Sequence, residues 1–189
     1  MAELRAHEPP EMLVERALVP AMARLGAEWA QGLLPAEVVA SAARTAEFVA
    51  GLLAPVPPPA PLASAGKVAV GSLDAGHTLG KRLVEANLAA AGYEVIDLGM
   101  DLGPSAALEG MRASGARVLL LSASMVRCAL RATAVADAVH AAGGALRVGV
   151  GGAPFRLDET LWRAVGADGS AAAAHEAPAL AARLLATAT

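Results

Sequence analysis

From Gly66 onward the sequence alternates short apolar bursts with amphipathic helical stretches, and that alternation leaves few folds open. The bursts are Lys67–Gly71, Glu94–Gly99, Arg117–Ser122 and Leu146–Val150, with a short last one near Asp168–Ser170. Helical periodicity fills 78–91, 104–114, 126–142 and 157–165, and a final helix is expected over 175–187. The runs VLLLS and RVGVG are nearly continuous apolar, as strands covered on both faces should be. Such β–α alternation predicts a parallel, doubly wound sheet.

Five strands suit the flavodoxin-like order 2-1-3-4-5 better than the six-stranded dinucleotide fold. In such a sheet ligands bind outside the carboxyl ends of the strands, where strand order reverses. The relevant ends read GSLDAGHTLG (71–80), SAS (122–124) and GGAP (151–154). All are small, polar or Gly-rich, and Gly71, Gly76, Gly151 and Gly152 let backbone approach a flat ligand closely. A slot lined by backbone and small side chains is expected there.

The preceding chain has a different texture. Leu18, Met22, Leu25 and Trp29 recur at helical spacing, Gly32 and Pro35 break the chain, and Val38, Ala42, Ala46, Val49 and Leu53 stripe a second helix. Pro20 is expected to start or kink the first helix. Residues 1–54 therefore read as a small helical cap, 55–65 (PVPPPAPLASA) as a Pro-rich, semi-rigid linker, and 66–189 as the α/β domain.

Composition excludes several classes. No uncharged apolar run reaches the roughly 18 residues of a membrane span, and the N-terminus lacks the basic start and apolar core of a signal peptide. With a single Cys128 no internal disulfide framework exists, so a cytoplasmic protein is expected. The net charge of −3 and the absence of a Lys/Arg run argue against direct nucleic-acid binding. No acid, base and nucleophile constellation is visible, the loop GSLDAGHTLG is neither a P-loop nor a nucleophile elbow, and a binding or carrier module is expected rather than an enzyme.

His77 is the one strong coordinating group in the first loop, able to present a ring nitrogen to a metal or to act as acid or base, or simply to be a hydrogen-bonded loop residue. His7, His140 and His175 are weaker candidates, and nothing near His77 is spaced to complete a zinc site. A metal on His77 must bring most of its ligands with it, as a macrocycle does.

The stretch GSLDAGHTLGKRLVEANLAAAGYEVIDLG resembles the cobalamin-binding domain family, marked by Asp-x-His-x-x-Gly after strand one. Ser122-Ala123-Ser124 matches the family's Ser element after strand three loosely, and Gly151-Gly152 matches its Gly-Gly after strand four well. The segments VGVGGAPF and LWRAVGADG are also similar, and with the cap the resemblance covers about residues 12–180. It implies a cobalamin cofactor (adenosyl- or methylcobalamin) with His77 as lower axial cobalt ligand. The displaced nucleotide tail would enter a slot bounded by Ser72, Asp74, Gly76, Thr78, Leu79, Gly80, Ser122, Ser124, Gly151 and Gly152. One departure stands out: where the family has Asp two residues before His, this chain has Ala75, and Asp74 lies one residue too early. Either the loop brings Asp74 back to the ring, or His77 binds unassisted.

The cap resembles that of corrinoid proteins, and Trp29 stands where cobalamin sensors often carry Trp over the upper corrin face; the alternative is that it fills the cap's own core. The Glu-His pair many sensors carry is absent. Two functions are implied, with the sensor slightly ahead: a light- or cofactor-state sensor (photoreceptor) acting through a separate output protein, or a corrinoid methyl carrier serving partner methyltransferases. A degenerate domain binding another tetrapyrrole is the third reading. The Ala-rich helix faces are compatible with a homodimer.

Overall fold

The computed structural model describes residues 13–53 and 65–188; His7 and nearly all of the Pro-rich segment lie outside them. The chain divides into two compact units, Met1–Val56 and Pro57–Thr189.

In the second unit the expected alternation becomes β1 (Lys67–Ser72), α3 (Leu79–Ala90), β2 (Glu94–Asp97), α4 (Pro104–Ser114), β3 (Val118–Ser122), α5 (Val126–Ala129), α6 (Ala132–Ala141), β4 (Arg147–Gly151), α7 (Ala153–Leu157), α8 (Leu161–Ala164), β5 (Gly169–Ala171) and α9 (Ala177–Thr187). All strand pairs are parallel and the order is β2-β1-β3-β4-β5, as the alternation implied. Strand period two sorts the core into two layers. Val68, Val70, Val118 and Leu120 share a cluster with Leu88 of α3 and Leu180 and Leu184 of α9. Ala69, Leu119 and Leu121 face the other way, with Met111 of α4 and Val135 and Val139 of α6. Both faces are thus buried, which explains the unbroken apolar runs.

Three boundaries differ from the sequence reading, each for a local reason. β2 stops at Asp97 because its carboxylate accepts the Gly99 amide at 2.7 Å and Gly99 turns with φ +84°. The helix expected over 126–142 breaks between α5 and α6, where Arg131 reaches back to the Leu73 carbonyl at 2.8 Å. The stretch expected at 157–165 splits at Asp158, whose side chain accepts from the Thr160 amide at 2.9 Å and thereby starts a new turn.

In the first unit a π-helical turn, Val14–Leu18, leads into α1 (Val19–Ala30), and α2 spans Ala36–Leu53. Pro20 has no amide hydrogen to give, and the widened turn before it is closed instead by the Val19 amide on the Val14 carbonyl. Gly32, with φ +73°, ends the first helix hairpin arm. Ala46, Ala50 and Leu53 are buried along α2, whereas α1 buries no residue fully. Among the described residues no helix is long and apolar enough to cross a membrane.

Candidate functional site

Pairing register brings the three small-residue strand ends level: Ser72 lies opposite Ser122, and Ser122 opposite Gly151. The strand-order reversal falls beside β1, so the loop after β1 opens onto this row. Ser72 is buried and its hydroxyl accepts the Asp74 amide at 3.1 Å. Gly76 and His77 are exposed, Thr78 and Leu79 half-buried, and Gly80 lies in the first turn of α3. Among the described residues no hydrogen bond or ion pair is made to the His77 ring. Its nitrogens are available to a ligand from solvent.

The floor of the row is tight. A Cβ at Gly80 would stand 2.7 Å from the Ser122 hydroxyl oxygen, and one at Gly151 would stand 3.1 Å from the Ala171 carbonyl oxygen. At Gly152, with φ +114°, it would fall 2.0 Å from the Ala123 carbonyl oxygen. Glycine is required at these edges by space as well as by backbone conformation. Side-chain-free backbone and one half-buried hydroxyl, Ser122, are what a flat or rod-shaped ligand would meet.

Asp74 does not return to His77. It is 2% exposed, and its two carboxylate oxygens accept from Ser124: the amide at 2.7 Å and the hydroxyl at 2.9 Å. The buried Cys128 thiol is influenced by this carboxylate. Burial pushes the Cys128 thiol up, and Asp74 pushes it further, against a smaller downward pull from Arg127. Of the two arrangements open to the sequence, the structure has the one in which His77 receives no carboxylate.

Several supporting residues went unnoticed in the sequence. Arg131 donates to the Leu73 carbonyl at 2.8 Å and to Asp101 at 2.5 Å, and Asp101 is the one non-glycine residue with positive φ, 51°, among the described residues. Lys81, its side chain 6% exposed, holds Asp97 at 2.6 Å and Glu85 at 2.7 Å. Burial alone would lower the Lys81 pKa, but the two hydrogen-bonded carboxylates outweigh it and raise it. Burial opposes the Asp97 charge, yet the bond from Lys81 holds it below its ordinary range; for Glu85, more enclosed, burial wins and pushes it up. This cluster ties the start of α3 to the end of β2. Only the Lys four residues past His77 and the Asp at the end of a strand hinted at it.

Elsewhere, His140 pairs with Asp168 at 2.9 Å, beside the start of β4, where Asp168 also accepts the Val148 amide. Trp29 lies in the first unit, on α1, and is 50% exposed. Among the described residues no group of three His, Cys, Asp or Glu could hold a bare metal ion. The donor set fits a cobalt that arrives already held by a macrocycle: one exposed imidazole beside glycine-rich strand ends.

A lone exposed His on the first loop, beside glycine-rich strand ends at the switch point, is the arrangement that the resemblance to a corrinoid-binding α/β protein leads one to expect. Residues 67–181 match the B12 binding domain, and the chain belongs to that family, with cobalamin as its cofactor. It is 28% identical to the trimethylamine corrinoid protein of Methanosarcina barkeri over 160 residues, which span 82% of this chain and 74% of that one. The trimethylamine corrinoid protein 1 of Methanosarcina mazei is 27% identical over the same shares. Among solved structures, the monomethylamine corrinoid protein of Methanosarcina barkeri superposes with a TM-score of 0.79 at 22% identity, covering 96% of this chain and 86% of that one.

Proposed function

We propose that this chain is a corrinoid methyl-carrier protein, with His77 as the lower axial ligand of cobalt and a separate methyltransferase as partner. The observation that carries this reading is the exposed, unpartnered imidazole of His77 beside Gly80, Ser122 and Gly151-Gly152. Similarity to the two trimethylamine corrinoid proteins supports the carrier over the sensor that the Trp29 resemblance had put slightly ahead. When bound, the cobalt of the corrin supplies the nucleophilic and leaving-group chemistry by which a methyl group is accepted and passed on. The chain's residues supply position. His77 would hold the cobalt of the corrin and Ser122 would offer a hydroxyl to the nucleotide tail, while Gly80, Gly151 and Gly152 let the β3, β4 and β5 ends and α3 pack closely around that place. Asp74 is proposed to act beneath this set, not on the tail.

The sensor reading keeps one observation in its favour, the half-exposed indole of Trp29 on α1. One experiment separates the two. Purified wild type and His77→Ala are mixed with methylcobalamin or adenosylcobalamin, and absorption spectra are taken before and after green light. A histidine-bound spectrum in wild type that is lost in His77→Ala supports His77 ligation. Methyl transfer from the loaded protein to a reduced corrinoid acceptor through an added methyltransferase supports the carrier. Light-driven change of gel-filtration position with Trp29 intact, and none in Trp29→Ala, would instead support the sensor. Failure of wild type to alter either spectrum would sink the His77 assignment.

A further inference from the structure

Asp74 sits where three loops meet. Its carboxylate takes the amide and hydroxyl of Ser124 from the β3 loop, with the Cys128 thiol beside them. Its carbonyl accepts the Asp101 amide of the β2 loop at 3.2 Å, and its own amide is spent on Ser72 at the end of β1. Arg131 closes the arrangement from the other side, bonded both to Leu73 of the β1 loop and to Asp101 of the β2 loop. Three residues further on, His77 is exposed.

A buried carboxylate whose two oxygens are both occupied by donors is satisfied and has no reason to turn toward an exposed ring. We infer that Asp74 is a positioning residue that clamps the β1 loop to the β3 loop through Ser124, and that His77 meets cobalt without a carboxylate behind it. Two consequences follow. Ser124 is committed inside the protein, which leaves Ser122 as the strand-three hydroxyl free to meet the cofactor. And the missing carboxylate can be supplied, because Ala75 is exposed and stands two residues before His77.

The inference rests on the cobalamin reading for its second half only, and the test keeps the halves apart. In the cofactor-free protein, Asp74→Asn removes a charged acceptor and faces the Ser124 amide with a possible donor. Its thermal midpoint is expected to fall by roughly 4–8 °C, as for loss of a charge-assisted buried pair in a domain this size. Ser124→Ala is expected to fall less, and the double variant no further than Asp74→Asn alone. Strictly additive shifts would overturn the clamp. With cobalamin added, Asp74→Asn and Ser124→Ala both lower the fraction of histidine-bound cofactor read from the absorption spectrum, a change that stability alone does not produce when both are measured well below their midpoints. Ala75→Asp raises cobalamin affinity about 10–100-fold, the usual worth of a carboxylate behind a ligating His. If Ala75→Asp leaves affinity unchanged while Asp74→Asn alone abolishes histidine ligation, Asp74 is serving the ring and the inference is wrong. If wild type leaves cobalamin free, the cofactor reading falls, and the coupled stabilities still decide the clamp.

Discussion

Gly152→Ala tests how rigidly the β3 and β4 ends are packed against each other. The native backbone there has φ +114° and ψ −177°, a region in which a residue with a side chain costs about 1–3 kcal/mol. The added Cβ would also lie 2.0 Å from the Ala123 carbonyl oxygen, against 3.4 Å for ordinary contact, so 3.4 − 2.0 = 1.4 Å of movement is needed. Ala123 cannot yield cheaply. Its amide is bonded to the Gly151 carbonyl at 3.0 Å, and the neighbouring Ser124 amide is held by Asp74 at 2.7 Å. Forced overpacking of this kind adds about 1–3 kcal/mol. Together the two effects predict a loss of about 2–6 kcal/mol, measured by urea unfolding followed by circular dichroism. Gly144→Ala is the control: φ is +76° but nothing lies within 4 Å of its Cβ, so only the conformational cost of about 1–2 kcal/mol remains. A loss at Gly152 no larger than at Gly144 would refute the argument, because it would mean that the β3 and β4 loops separate without resistance.

Gly80→Ala should behave differently, since its Cβ meets a hydroxyl that can rotate: stability should change by less than about 1 kcal/mol while cobalamin affinity in a spectral titration falls about tenfold. Asp97 is held below its ordinary value of 3.8, so its stabilising bond to Lys81 is present above that pH and is lost as pH falls through the lower, folded value. Accordingly, the difference in thermal midpoint between wild type and Asp97→Asn should be steady at neutral pH and shrink below 3.8. A difference that persists unchanged into acid would remove the ion pair as its cause. Leu119→Ala, at a fully buried position shared by the central sheet and α4, should cost about 2–5 kcal/mol in urea unfolding. Leu157→Ala, at a position 84% exposed, should cost less than about 0.5 kcal/mol.

How much was legible in the sequence depends on how far apart the interacting residues lie. The parallel sheet and its order could be read because burial on both faces writes itself into every strand, as in VLLLS and RVGVG, and because each crossover is a local unit. The close packing at Gly80, Gly151 and Gly152 could be read because glycines at strand ends announce a close approach of backbone, here to Ser122, Ala171 and Ala123. Element ends were less legible: β2 stops at Asp97 because of a side-chain bond to Gly99, a choice between nearly equal local options.

What only the tertiary structure decided is the partner of each charged side chain around these loops. Asp74 stands three residues from His77 yet is bonded to Ser124, fifty residues away in sequence. Arg131 reaches Leu73 across fifty-eight residues, and Lys81 selects Asp97 as well as the Glu85 on its own helix. Each choice follows from β1 lying next to both β2 and β3, which places three loops over one another. Sequence alone determined the sheet and the glycine-rich strand ends with a single histidine on the first loop, because periodicity and backbone tolerance are local properties. Whether a carboxylate would stand behind that histidine was settled by competition among donors that only the assembled sheet brings within reach.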